Sequence, residues 1–109
     1  MTARTPECLK ARNMALHVLV AQKLRNEPAR FQTVRENLLR WNAQRGWRST
    51  PWLHEWLAAA ELGIEAILAI ALDPSDHGDQ LRSSSPFSGV LDEAERLSFL
   101  KAWSQCDER

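Results

Sequence analysis

No stretch of this chain is apolar for long enough to cross a bilayer. The longest candidate, residues 64–72, is interrupted by Glu65 and falls far short of the ~20 residues that a membrane-spanning helix needs. Cysteine is scarce: Cys8 and Cys106 lie near opposite ends with no C-x-x-C spacing, so free thiols are expected. The opening MTARTPECLKARN lacks the apolar core of a signal peptide, and a cytoplasmic location with no membrane partner is the expectation. Four glycines and five prolines in 109 residues exclude a fibrous or disordered composition. No apolar residues alternate with polar ones in the manner of strands, and no segment repeats.

What the chain does have is an uneven distribution of charge beneath a formal total of zero. Residues 1–50 carry ten Lys/Arg against three Asp/Glu, and residues 51–109 carry four against eleven. A half of about +7 and a half of about −7 either face each other or meet oppositely charged partners. Complementary halves also make a homo-oligomer plausible, held by head-to-tail contacts that weaken as salt rises.

The remaining pattern is helical, and the length suits a single domain over residues 1–109. Residues 7–25 lack Gly and Pro and carry two apolar stripes, one of Leu9, Leu16, Val20 and Leu24 and one of Ala11, Met14, Val18 and Ala21. A helix apolar on two faces is expected in the middle of a bundle. Pro28 suits a helix start, and Phe31, Val34, Leu38 and Trp41 follow at steps of three and four. Thr50-Pro51 opens a third helix bearing Trp52 and Trp56, and Gly63 separates it from a short fourth over residues 64–72. Asp73-Pro74 reads as a cap for a brief polar helix ending at Arg82, and residues 83–89, SSSPFSG, read as a loop. Asp92 with Glu95 fits a capping box ahead of Leu97, Leu100 and Trp103. The expected fold is all-α, a compact bundle of about five helices.

Several constellations bear on function. Arg40, Trp41, Arg45, Trp47 and Arg48 interleave arginine with tryptophan, as single-stranded nucleic-acid binders do. The arginines scatter around their helix, however, and Trp41 shares a stripe with core residues, so a nucleic-acid partner is the second reading. The first reading is a protein partner, met by Arg40, Arg45, Trp47, Arg48 and Trp52, since Trp and Arg are enriched at binding hot spots. Helix, Gly63, helix resembles a helix-turn-helix in outline, but residues 64–72 offer almost no polar side chains to base edges. Asp73, Asp76, His77 and Asp79 lack the alternate-residue spacing of a calcium loop, and no metal or cofactor is expected. His17 reads as a hydrogen-bonded core histidine, while His54 and His77 are the only others. The pattern G-x-S-x-G is absent, and no nucleophile stands beside an evident base, so the protein is expected not to be an enzyme.

The elements ALH at residues 15–17, ENLLRW at 36–41, EW at 55–56 and LRSSSPFSGVL at 81–91 resemble a family of small bacterial helical proteins. The resemblance implies a companion protein encoded beside a nucleotidyltransferase-like gene, in the manner of antitoxins, and carries over no functional residue. In the SPFSGVL stretch, Pro86 holds Ser85 extended, Gly89 allows a tight turn, and Phe87, Val90 and Leu91 give that turn an apolar underside. Such a loop is either pinned to its own core or presents Ser83, Ser84, Ser85 and Phe87 to a partner.

Overall fold

The computed structural model describes residues 6–45 and 51–104. Six α-helices lie among them: α1 (Pro6–Asn26), α2 (Phe31–Arg45), α3 (Pro51–Leu62), α4 (Ile64–Ala71), α5 (Asp76–Arg82) and α6 (Glu93–Ala102). Pro28 opens a single 3₁₀ turn, Pro28–Arg30, that leads into α2. The fold is therefore all-α, with one element more than the pattern of five helices suggests.

The core is built where short helices converge. Val20, Ala21 and Leu24 of α1 meet Val34 and Leu38 of α2, Leu53 and Trp56 of α3, and Ile67, Leu68 and Ala71 of α4. Gly63, at φ 119°, lets α3 turn directly into α4, and the two helices pack on each other. Leu62, just before this elbow, is 82% exposed. The helix α4 turns Ile67, Leu68 and Ala71 inward and serves as a core helix.

Three expectations are adjusted. The first helix is buried through both of its stripes, Val20 and Leu24 from one and Ala21 from the other, but only in its second half; Val18 is 43% exposed. Cys8, in the first half, is disulfide-bonded rather than a free thiol; Cys106 lies outside the described residues. The cap of α5 also moves. Ser75, not Asp73, is the N-cap, its Oγ accepting from the Gly78 amide at 3.2 Å, while Asp73 accepts from the Ser75 amide at 2.9 Å and sets the approach to the helix.

The last helix is attached differently from the rest. Its capping box is complete, Asp92 accepting from the Glu95 amide at 2.8 Å and Glu95 from the Asp92 amide at 2.9 Å. It buries no residue of its own. It is held instead through Glu95, which meets Lys23 at 2.8 Å and Arg30 at 2.8 Å. With Arg25–Glu65 at 2.8 Å, these pairs bring cations of the basic half onto carboxylates of the acidic half within one molecule.

The hydrogen bonds of Arg30 and Lys23 hold the Glu95 carboxyl down to about 2. A carboxylate depressed in the folded state contributes stability above its ordinary 4.5 that is lost as pH falls toward the folded value. Amide exchange in α6 is expected to accelerate across this window before exchange in α3 and α4 does, and Glu95→Gln is expected to make α6 exchange fast at neutral pH. Uniform protection of α6 and α3 in that variant would show the ion pairs to be dispensable.

Candidate functional site

The 83–89 loop is held against the bundle by a plug and a latch. The plug is Phe87, 6% exposed, whose ring stands edge-on to His17 at 5.5 Å and to Trp56 at 5.6 Å. The latch is Asn37, a buried polar residue on α2. Its Nδ2 donates to the carbonyls of Pro86 at 2.9 Å and Ser88 at 2.8 Å, and its Oδ1 accepts from Arg40 Nη2 at 2.8 Å. Gly89, at φ 88°, turns the chain back so that Val90 can rejoin the core. Phe87 is thus a core residue and not a presented one.

The loop starts from a buried cation. Arg82 donates through Nη1 to the carbonyls of Ala71 at 3.2 Å and Asp73 at 2.5 Å, at the carboxyl end of α4, where a positive charge complements the helix dipole. Asp79 lies 3.7 Å away. The Arg82 Nε, also buried, has no hydrogen-bond partner among the described residues.

Two cavities flank this loop. On one side a cleft of about 460 Å³ is lined by Trp41 and Gln44 of α2, Trp52 of α3, Arg82, and Ser83, Ser84 and Ser85. Trp41 and Trp52, both half-buried, meet edge to face at 6.0 Å. On the other side a cavity of about 280 Å³ is lined mainly by Leu16, His17, Val20, Phe87 and Leu91, with Ser85 and Ser88. Ser85 lines both.

Of the residues singled out from the sequence, the cleft unites Trp41 and Trp52 with Ser83, Ser84 and Ser85. Arg40 is exposed and braces the latch from α2. Trp47 and Arg48 lie outside the described residues, as does the side chain of Arg45. The acidic cluster is dispersed over other partners: Asp73 on Ser75, Asp79 on Arg82, and His77 on Glu55 at 2.8 Å. Among the described residues, no three His, Cys, Asp or Glu side chains gather closely enough to hold a metal ion. No described helix is long and apolar enough to cross a membrane.

Compared with known proteins, the chain matches no family model, no curated protein and no solved structure. The candidate site therefore rests on its own geometry.

Asn37 and Arg82 are the residues that the sequence reading missed. Arg82 had a signal: between Arg48 and Arg96 it is the only Lys or Arg, among nine Asp/Glu. Asn37 had none, because its role depends on carbonyls about fifty positions away. Replacing it with Ala strands two carbonyls, and Asn37→Ala is expected to lower unfolding free energy by about 2–3 kcal/mol, read from denaturant midpoints. A loss under about 0.5 kcal/mol would mean that Phe87 alone pins the loop.

His17 offers a second test. Its Nδ1 donates to the Asn13 carbonyl at 2.7 Å, but burial, reinforced by the charge of Arg82, holds the ring below its ordinary 6.5. The unfolded chain then takes up a proton that the folded one refuses, so this contribution is lost as pH falls from 6.5 toward the folded value. His77, raised by its hydrogen bonds to Glu55, titrates with the opposite sign: its stabilisation is present below 6.5 and fades as pH rises. In a His77→Gln background stability is expected to fall between about pH 7 and 5. Adding His17→Phe is expected to flatten that slope; an unchanged slope would remove His17 as its cause.

Proposed function

We propose that the protein is a non-enzymatic protein-binding or regulatory module that docks its partner on the cleft between Trp41, Trp52 and the serine loop. The observation that carries this reading is the convergence of two half-buried tryptophans with Ser83, Ser84 and Ser85 in one cleft, beside a loop fixed from beneath by Asn37 and Phe87. Tryptophan supplies large contact area at little entropic cost, and hydroxyls on a braced loop supply directional hydrogen bonds. An antitoxin-like companion of a neighbouring gene's product is the specific form suggested by the sequence resemblance.

The ion pairs weigh against nucleic acid. Lys23, Arg25 and Arg30 lie on Glu95 and Glu65, which leaves the basic half less able to neutralise phosphates. The same pairs use up part of the charge complementarity that would drive a homo-oligomer. The cytoplasmic location proposed with this reading has a consequence at Cys8. Cytosolic reductants open disulfides, so binding there proceeds with Cys8 reduced.

The test is recovery of the tagged protein from its native host, with and without nuclease, under reducing and oxidising conditions. One protein is expected in fixed stoichiometry, lost when Trp52→Ala is used at unchanged helical content. Retention by Trp52→Ala would move the partner off the cleft. Recovery of nucleic acid only in the absence of nuclease would favour the second reading.

A further inference from the structure

We infer that the shallow groove between α2 and α3 is a self-association face, on which a second copy of this chain docks about a two-fold axis with Arg35 of each copy against Glu61 of the other. The face is separate from the serine cleft and does not depend on the partner-binding proposal. Leu39, on the groove, and Trp41, on the cleft, stand two positions apart on α2, about 200° around the helix.

The groove is lined by Arg35, Leu38 and Leu39 of α2 and by Leu57, Ala60 and Glu61 of α3. Leu38 and Ala60 are buried core residues, Leu57 is half-buried, and Leu39 is 62% exposed. An exposed leucine by itself is ordinary. This one adjoins apolar side chains of a second helix, and covering such a face removes apolar surface from water. The volume of about 80 Å³ is well under the ~300 Å³ at which ligand pockets begin, so the groove suits the side chains of a protein surface rather than a small molecule.

Charge identifies the occupant. Arg35 and Glu61 are both exposed, flank the groove from opposite helices, and have no ion-pair partner among the described residues. In this they differ from Lys23, Arg25 and Arg30, which already lie on Glu95 and Glu65. One cation and one carboxylate beside a single apolar strip make the face self-complementary. A two-fold axis midway between them brings each onto its counterpart in the other copy, so one contact forms two ion pairs and lays one apolar strip on the other. A partner charged with a single sign would instead oppose one of the two. The formal net charge of zero adds no long-range repulsion between copies. Arg35 and Glu61 thus retain the complementarity that the intramolecular pairs consume elsewhere.

The test is the oligomeric state of the full chain by sedimentation equilibrium, with non-reducing electrophoresis to set aside any disulfide-linked species. A reversible equilibrium between monomer and dimer is expected. Leu39→Glu is expected to weaken the dimer at least about tenfold at unchanged helical content, because it presses a carboxylate onto an apolar strip. Arg35→Glu sets carboxylate against carboxylate in both contacts and is expected to weaken it by about tenfold as well, as is Glu61→Arg through its paired cations. The double variant Arg35→Glu/Glu61→Arg re-forms both pairs with exchanged signs and is expected to return the dissociation constant to within about threefold of wild type. All three positions are exposed, so the variants are expected to fold. A chain that stays monomeric up to about 1 mM, a dimer indifferent to Leu39→Glu, or charge reversals that either leave the dimer unchanged or are not rescued by the double variant would each overturn the assignment.

Discussion

The carboxamide of Asn37 is the contact on which the serine loop and the two cavities beside it depend. It occupies both protons on the Pro86 and Ser88 carbonyls and its oxygen on Arg40. A loop of three serines, a proline and a glycine has little propensity to hold one shape, and burying it leaves backbone carbonyls that must be satisfied. Asn37 satisfies two of them from a helix whose own position is fixed by Val34 and Leu38. The loop therefore behaves as an extension of α2. Both cavities share it as a wall, so their shapes are set by one side chain that lines neither.

Electrostatics take a second part. The division of the sequence into a basic and an acidic half is resolved within the monomer wherever a helix end must be tied down: Arg25 to Glu65 across α1 and α4, and Lys23 and Arg30 to Glu95 at the start of α6. These pairs are solvent-accessible, and exposed pairs contribute modestly one by one. Their importance lies in where they stand. The helix α6 has no buried side chain, so the two cations on Glu95 replace the hydrophobic anchor that the other helices have. Arg82 applies the same logic indoors, tying the last residue of α5 to carbonyl oxygens at the end of α4 and just beyond it.

Elements defined by nearby residues were legible in the sequence. The Asp92–Glu95 capping box and the Phe31, Val34, Leu38, Trp41 stripe rest on spacings of three or four, and both appear in the structure. Proline marked two starts correctly, at the 3₁₀ turn and at α3. At Asp73-Pro74-Ser75 two capping residues compete, and the helix chose the one whose hydroxyl reaches the Gly78 amide. Most of the candidate site was likewise legible, since Trp41, Trp52 and the three serines were already singled out. What joins them was not. The disulfide at Cys8, the Asn37 latch and the Arg82 bridge depend on distance in space, and spacing along the chain says nothing about that.

The latch has a further consequence for the order in which the protein assembles. It joins residue 37 to residues 86 and 88, and closing a segment of 49 positions costs about 3.4 kcal/mol of chain entropy before any contact rewards it. The α3–α4 hairpin closes over a single glycine and incurs no such penalty. Local helical pairs therefore form first and the loop docks late, with the molecule already mostly helical. Far-ultraviolet circular dichroism would register a nearly complete protein before either cavity had its wall. Docking of this loop is consequently a stricter gauge of maturity than helical content, because it distinguishes the finished molecule from one that is helical but still lacks these walls.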